Sequence, residues 1–178
     1  MKKQIKYLIL LFCSIVLITN AHCFNQISAY AKANSDVSST YQIKDISSLN
    51  TSNEQAYVID NSAFLTTEQV KELSDKLIYE NNKNNFDIVI LTVNTIGDKD
   101  LTTFSENFYD SNGYRPDGIL LVIDTENHAW HVTTTGSAIK LFPSRQIDDM
   151  MKDVVAELSA DNNYAAFCTF IEKILTDL

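Results

Sequence analysis

Two stretches, Phe86-Asp87-Ile88-Val89-Ile90-Leu91-Thr92-Val93 and Gly118-Ile119-Leu120-Leu121-Val122-Ile123, decide the architecture. A strand with one wet face alternates polar and apolar residues, whereas these runs are apolar on both faces. That is the habit of strands buried in the middle of an α/β sheet. Between them, Asp100 stands as an N-cap before Leu101, Phe104 and Phe108 at helical spacing, and the helix ends near Gly113. A strand, a helix and a strand at this separation predict a right-handed βαβ unit with parallel strands.

Working outward, Tyr57-Val58-Ile59 is a short apolar step ending at Asp60. Thr66 and Gln69 then form a capping box, with Leu65 placed to staple onto Val70, and Val70, Leu73 and Leu77 continue the helical spacing until Asn81, Asn82 and Asn84. After the second buried run, Ala129 to Thr135 alternates, with Trp130, Val132 and Thr134 on one side and Ala129, His131 and Thr133 on the other. This suits an antiparallel hairpin partner nearer the sheet edge. Two amphipathic stripes close the chain: Ile147, Met151, Val154 and Leu158, then Tyr164, Phe167, Ile171, Ile174 and Leu178. The expected fold is a three-layer α/β/α sandwich, a mixed sheet of about four strands with helices on both faces.

The amino terminus reads as an address. Lys2, Lys3 and Lys6 precede a largely apolar run from Tyr7 to Ile18, and Ala29-Tyr30-Ala31 supplies a small-x-small cleavage site. The run is short beside the roughly 20 apolar residues of a spanning helix. Residues 1–31 are therefore expected to be a signal peptide, with retention as an anchor left open. Residues 32–55, rich in Ser, Thr and Asn, read as a flexible linker, and residues 56–178 as one domain. The expected location is secreted or extracytoplasmic, on the envelope side, without a membrane anchor once the leader is cleaved.

Composition removes several functional classes. Four Gly and two Pro in 178 residues exclude collagen-like and low-complexity chains. A net charge of −9, reaching −12 without the three lysines of residues 1–31, argues against nucleic-acid partners, which demand clustered Lys and Arg. No Gly-x-Ser-x-Gly elbow, phosphate loop or His-Glu-x-x-His occurs. Without the leader, Cys168 stands alone in the last helix beside its apolar stripe and reads as a structural thiol. His128 and His131 lie three apart, which on a strand points them to opposite faces, so they do not form a metal pair.

The acids remain. An oxygen-liganded site favours calcium or magnesium. Ligands of open α/β sheets collect beyond the carboxyl ends of parallel strands. If the first helix runs antiparallel to the strand it precedes, Asp60 and Asp124 approach one such edge together with Asp98 and Asp100. Asp117 falls at the opposite end, near Gly136. Turn chemistry explains the same residues: Asp60-Asn61-Ser62 and Asp117-Gly118 are turn pairs, Asp98, Asp100 and Asp124 suit caps or hairpin tips, and Asp148-Asp149 a solvated helical turn.

Val58-Ile59-Asp60-Asn61-Ser62-Ala63-Phe64-Leu65-Thr66, Asp87 to Val93, Phe104 to Tyr109 and Asp117-Gly118-Ile119-Leu120-Leu121-Val122 occur in an order that resembles the TPM domain family. The likeness covers about Tyr57 to Leu178. It implies an α/β/α fold and export. It also implies what the residues alone do not: plant members are linked to photosystem maintenance and described as weak acid phosphatases, and some members bind divalent cations. Asp60 and Asp117 match recurring family positions, and Asp124 lies in the variable hairpin. This chain departs in having Gly136-Ser137-Ala138 where many bacterial members have Gly-x-Gly, and in stopping at Leu178, where many continue into a membrane helix. The functional expectation is an exported module for protein interaction or envelope maintenance, its partner another exported or membrane protein, with calcium or magnesium as candidate ligand. The alternative is a weak, metal-assisted acid phosphatase.

Overall fold

The computed structural model describes residues 55–178; the expected leader and nearly all of the expected linker lie outside the described residues. The elements run β1 (Val58–Asp60), α1 (Thr67–Asn84), β2 (Asp87–Val93), α2 (Leu101–Ser111), β3 (Gly118–Asp124), β4 (Ala129–Thr135), α3 (Ala138–Leu141), α4 (Ser144–Ser159) and α5 (Asn163–Asp177).

The sheet order is β1-β2-β3-β4. The first three strands are parallel and β4 returns antiparallel to β3. Burial follows the sequence pattern: Ile88 to Leu91 and Ile119 to Val122 are each at most 1% exposed. Removing such side chains from water contributes about 1.5–3 kcal/mol apiece, which makes β2 and β3 the centre of the core. The register aligns Asp60 with Thr92 and Ile123, one residue short of the Val93–Asp124 pair, so Asp60 and Asp124 end at one rim but point to opposite faces of the sheet.

Helices cover both faces. On one side Thr102 of α2 approaches His131 of β4, and Tyr109 is buried with its hydroxyl donating to the Arg115 carbonyl at 2.8 Å. On the other, α1 and α5 are joined by the Tyr164 hydroxyl donating to Glu72 at 3.1 Å, and α4 packs along α5. This is the expected three-layer sandwich.

The expected capping box is present: Thr66 Oγ accepts from the Gln69 N–H at 3.3 Å and Gln69 Oε1 from the Thr66 N–H at 2.9 Å. Asn81, read as part of a helix-ending polar run, has a larger task. Fully buried, it accepts from Ile88 N–H at 3.0 Å and donates to the Ile88 carbonyl at 3.1 Å, docking the end of α1 onto β2. Asn85 then closes the helix in the left-handed conformation at φ 50°. The short α3 had no expectation of its own. Cys168 is buried in α5, as its place beside the apolar stripe implied.

Candidate site at the carboxyl rim of the parallel strands

Asp60 ends β1 and Asp124 ends β3 at the same rim, as expected. With β2 between them, they stand two strand spacings apart, roughly 10 Å. Cation–oxygen bonds are only about 2.4 Å long, so an ion bound to one carboxylate does not touch the other directly. Asp98 and Asp100 sit in the exposed loop after β2 at this rim. Asp117 lies at the opposite rim, where its carboxylate accepts from Ser137 N–H at 2.5 Å and packs against Gly136, at which a Cβ would run into that carboxylate and the Pro116 carbonyl. Among the described residues no group of three or more His, Cys, Asp or Glu is arranged to hold a metal ion.

The rim carboxylates organise loops. Asp60 accepts from the N–H groups of Phe64 (3.2 Å) and Leu65 (2.8 Å) and from the Thr92 hydroxyl (2.5 Å), which fixes the loop leading into α1. Asp124, 1% exposed, accepts from the Ile96 N–H (3.1 Å), the Asn127 N–H (3.1 Å) and the Asn127 side-chain amide (2.9 Å). It thereby ties the β2–α2 loop to the β3–β4 turn. Burial pushes the Asp124 carboxyl up, but these donors outweigh it and hold it below the usual carboxylate range. Asp100 caps α2, and the Thr103 N–H and hydroxyl likewise hold it low.

The two loops that Asp60 and Asp124 fix form walls of one cleft of about 440 Å³. Phe64 comes from the β1–α1 loop, Ile123, Asp124, Thr125, His128, Ala129 and Trp130 from the hairpin, Val155, Leu158 and Ser159 from the end of α4, and Asp161 and Asn163 from the turn into α5. Trp130 is 37% exposed there. Asn163 pins the loop opposite by donating to the Phe64 carbonyl at 3.4 Å.

Backbone strain collects at the same place. Four described non-glycine residues have positive φ; Asn85 is the helix cap, while His128 (48°) and Asp161 (58°) line the cleft and Ala63 (54°) adjoins Phe64. Such conformations cost about 1–3 kcal/mol each and cluster where a site is pre-shaped. His128 is exposed at the turn. His131 lies half-buried on the other sheet face, lowered first by burial against the opposing charges of Glu106 and Asp100, so the two imidazoles do not meet.

Sequence reading missed Trp130, Asp161 and the α4 wall as partners. The signal available was a single tryptophan in a half-buried strand position and the polar Asp161-Asn162-Asn163 joint. It also missed an ion pair at the opposite rim. Asp87, 1% exposed, pairs with the Arg115 guanidinium and accepts from the Arg115 N–H at 2.7 Å, while Arg115 reaches Asn82 at 2.7 Å and the Tyr57 hydroxyl at 3.4 Å. Tyr114 stacks on Tyr109 with centroids 5.1 Å apart, and burial pushes its hydroxyl up to about 12. This network reads as a fastening of the β2 and β3 entries.

The fold and its loaded rim define a class: small α/β/α domains with a mixed four-stranded sheet. The family model of the TPM domain matches residues 58–177, and the chain belongs to that family. It is 22% identical over 124 residues to the UPF0603 protein YdjH of Bacillus subtilis (strain 168), covering 70% of this chain and 48% of that protein, so it spans about half the length of this curated relative. The fold is shared with the N-terminal domain of a P. gingivalis protein (TM-score 0.63, 16% identity, 70% of this chain and 82% of that one). It is shared also with the BA42 protein of the psychrophilic bacterium Bizionia argentinensis (TM-score 0.55, 16% identity, 66% and 83%).

Proposed function

We propose that this TPM-domain chain is an exported binding module that holds a segment of another envelope protein in the rim cleft. The observation that carries the reading is the cleft itself: about 440 Å³, walled by Phe64, Trp130 and Leu158, at the end of the sheet where α/β domains bind ligands. Its loops are held by buried or half-buried carboxylates and its rim carries the strained residues. Export is supported by the leader-like residues 1–31 and by the extracytoplasmic habit of the family. No helix among the described residues is long and apolar enough to cross a membrane.

Selection of displayed random peptides on the wild-type chain, with counter-selection on Trp130→Ala, tests this. The reading predicts peptides retained by the wild type and lost with Trp130→Ala. Peptides retained equally by both proteins contradict it.

A divalent cation is the second element of the proposal, and Asp60 is the rim carboxylate that supports it. Asp60 accepts three hydrogen bonds, leaving lone-pair capacity for an ion. Thermal unfolding with and without millimolar calcium checks it. A ligand at one hundred times its Kd adds about 2.7 kcal/mol. No shift, or one that survives Asp60→Asn, removes the cation. Phosphate-ester hydrolysis that disappears on chelation and on Asp60→Asn favours the phosphatase instead.

A further inference from the structure

Resting on the reading of the rim cleft as a binding site, we propose that its occupant is an extended polypeptide segment presenting a lysine or arginine side chain. Three observations converge on that chemistry. The first is charge. The lining includes the exposed Asp161 and the 1% exposed Asp124, whose oxygens are turned to Ile96 and Asn127, and among the described residues no Lys or Arg, in a chain of net charge −9. Asp124 adds its charge from behind the wall, and Asp161 is the carboxylate placed to meet a cation. The carboxyl end of α4, at Val155, Leu158 and Ser159, adds a partial negative charge; the start of α5 at Asn163 opposes it with a partial positive one. The full charge of Asp161 outweighs that partial one.

The second is shape. A cationic side chain has an apolar stem and a charged tip, and buries the former while keeping the latter against water or a carboxylate. Phe64, Ile123 and Leu158 offer the apolar wall, and Trp130, the one tryptophan of the chain, offers an exposed ring face of the kind cations prefer. A volume near the lower end of ligand pockets, which run from about 300 to 1,000 Å³, suits one or two side chains.

The third is the adjoining main chain. Ala129 and Trp130 open β4, which pairs only with β3 among the described strands and so stands at the edge of the sheet. Its seven residues, Ala129 to Thr135, include no Pro, Lys, Asp or Glu to discourage a further strand. An extended segment laid on that edge gains main-chain hydrogen bonds while one of its side chains enters the cleft, the arrangement that gives strand addition both affinity and specificity.

The test uses acetylated, amidated heptapeptides Thr-Val-Thr-X-Thr-Val-Thr with X as lysine, norleucine or glutamate, titrated into the 15N-labelled chain. Trp130 gives a single indole N–H signal, which reports the cleft directly. The proposal predicts that the lysine peptide binds at least tenfold more tightly than the norleucine peptide at low salt. It predicts that the ratio falls as salt screens the carboxylates. Asp161→Asn, an exposed position, should bring the lysine peptide to the norleucine affinity with an unchanged melting temperature. Equal lysine and norleucine binding, both moving the indole signal, overturns the cationic inference and leaves the cleft reading standing. Preference for glutamate also overturns it. No movement of the indole signal with any of the three counts against both.

Discussion

Replacing Asp124 by Asn probes how much of the rim hangs on one carboxylate. The native carboxylate accepts three hydrogen bonds from two loops, at 2.9–3.1 Å, with 1% of its surface exposed. Asn keeps one acceptor oxygen and turns the other position into an NH2 donor. With its oxygen where Ile96 N–H and the Asn127 amide now donate, two bonds survive as neutral ones, and the NH2 faces the Asn127 N–H. Hydrogen bonds to charged groups contribute about 1.5–3 kcal/mol and neutral ones about 0.5–1.5, so weakening two and losing the third costs about 3.5–6 kcal/mol. At this domain size that is a fall in Tm of roughly 14–24 °C. The sign with pH follows from the depressed carboxyl. Its contribution is complete above the unfolded value of about 3.9 and is lost as pH falls through the lower folded value. Denaturant unfolding of wild type and variant at pH 7 and pH 3 therefore shows a gap that narrows in acid. A gap under about 0.5 kcal/mol at pH 7 falls within ordinary surface scatter and refutes the reasoning. A gap that ignores pH refutes it as well.

Three further outcomes follow from other parts of the fold. Gly118→Ala drives a methyl into the Tyr109 hydroxyl and the Asp87 carbonyl, and since backbone cannot yield, the loss should reach the upper part of the about 1–3 kcal/mol range for overpacking, read by denaturant midpoint. Arg115→Met leaves Asp87 buried without its partner; Arg115 itself is 30% exposed, which tempers the about 3–5 kcal/mol typical of a broken buried pair, and Asp87→Asn in the same background should restore part of it. Thr66→Ala removes one half of the capping box and should cost about 1 kcal/mol with no effect on cleft ligands, checked by thermal unfolding.

The layers of the sandwich were legible because their causes are local. Ile88 to Leu91 and Ile119 to Val122 announce burial on both faces by composition alone, and Thr66 with Gln69 marks a helix start within four residues. The shared rim of Asp60 and Asp124 followed from the parallel strands those patterns imply. What Asp60 and Asp124 do there was not legible, because their donors are backbone groups of loops: Phe64 and Leu65 for one, Ile96 and Asn127 for the other. The cleft was hidden for a similar reason. Alternation puts Trp130 on one face of β4, but only the packing of α4 decides that Val155 and Leu158 stand beside it. Asp87 was taken into an apolar run as a strand residue, since its partner Arg115 lies 28 residues on.

The central claim is that the carboxyl rim, rather than the opposite rim with its Asp87–Arg115 pair, is the working face of the domain. Backbone amide chemical-shift mapping with a peptide recovered by selection on the wild-type chain tests that most directly. The account predicts that the perturbed signals gather at residues 63–65, 123–131 and 155–163. Perturbations centred on residues 85–88, 114–118 and 136–138, with the Trp130 indole unmoved, would contradict it.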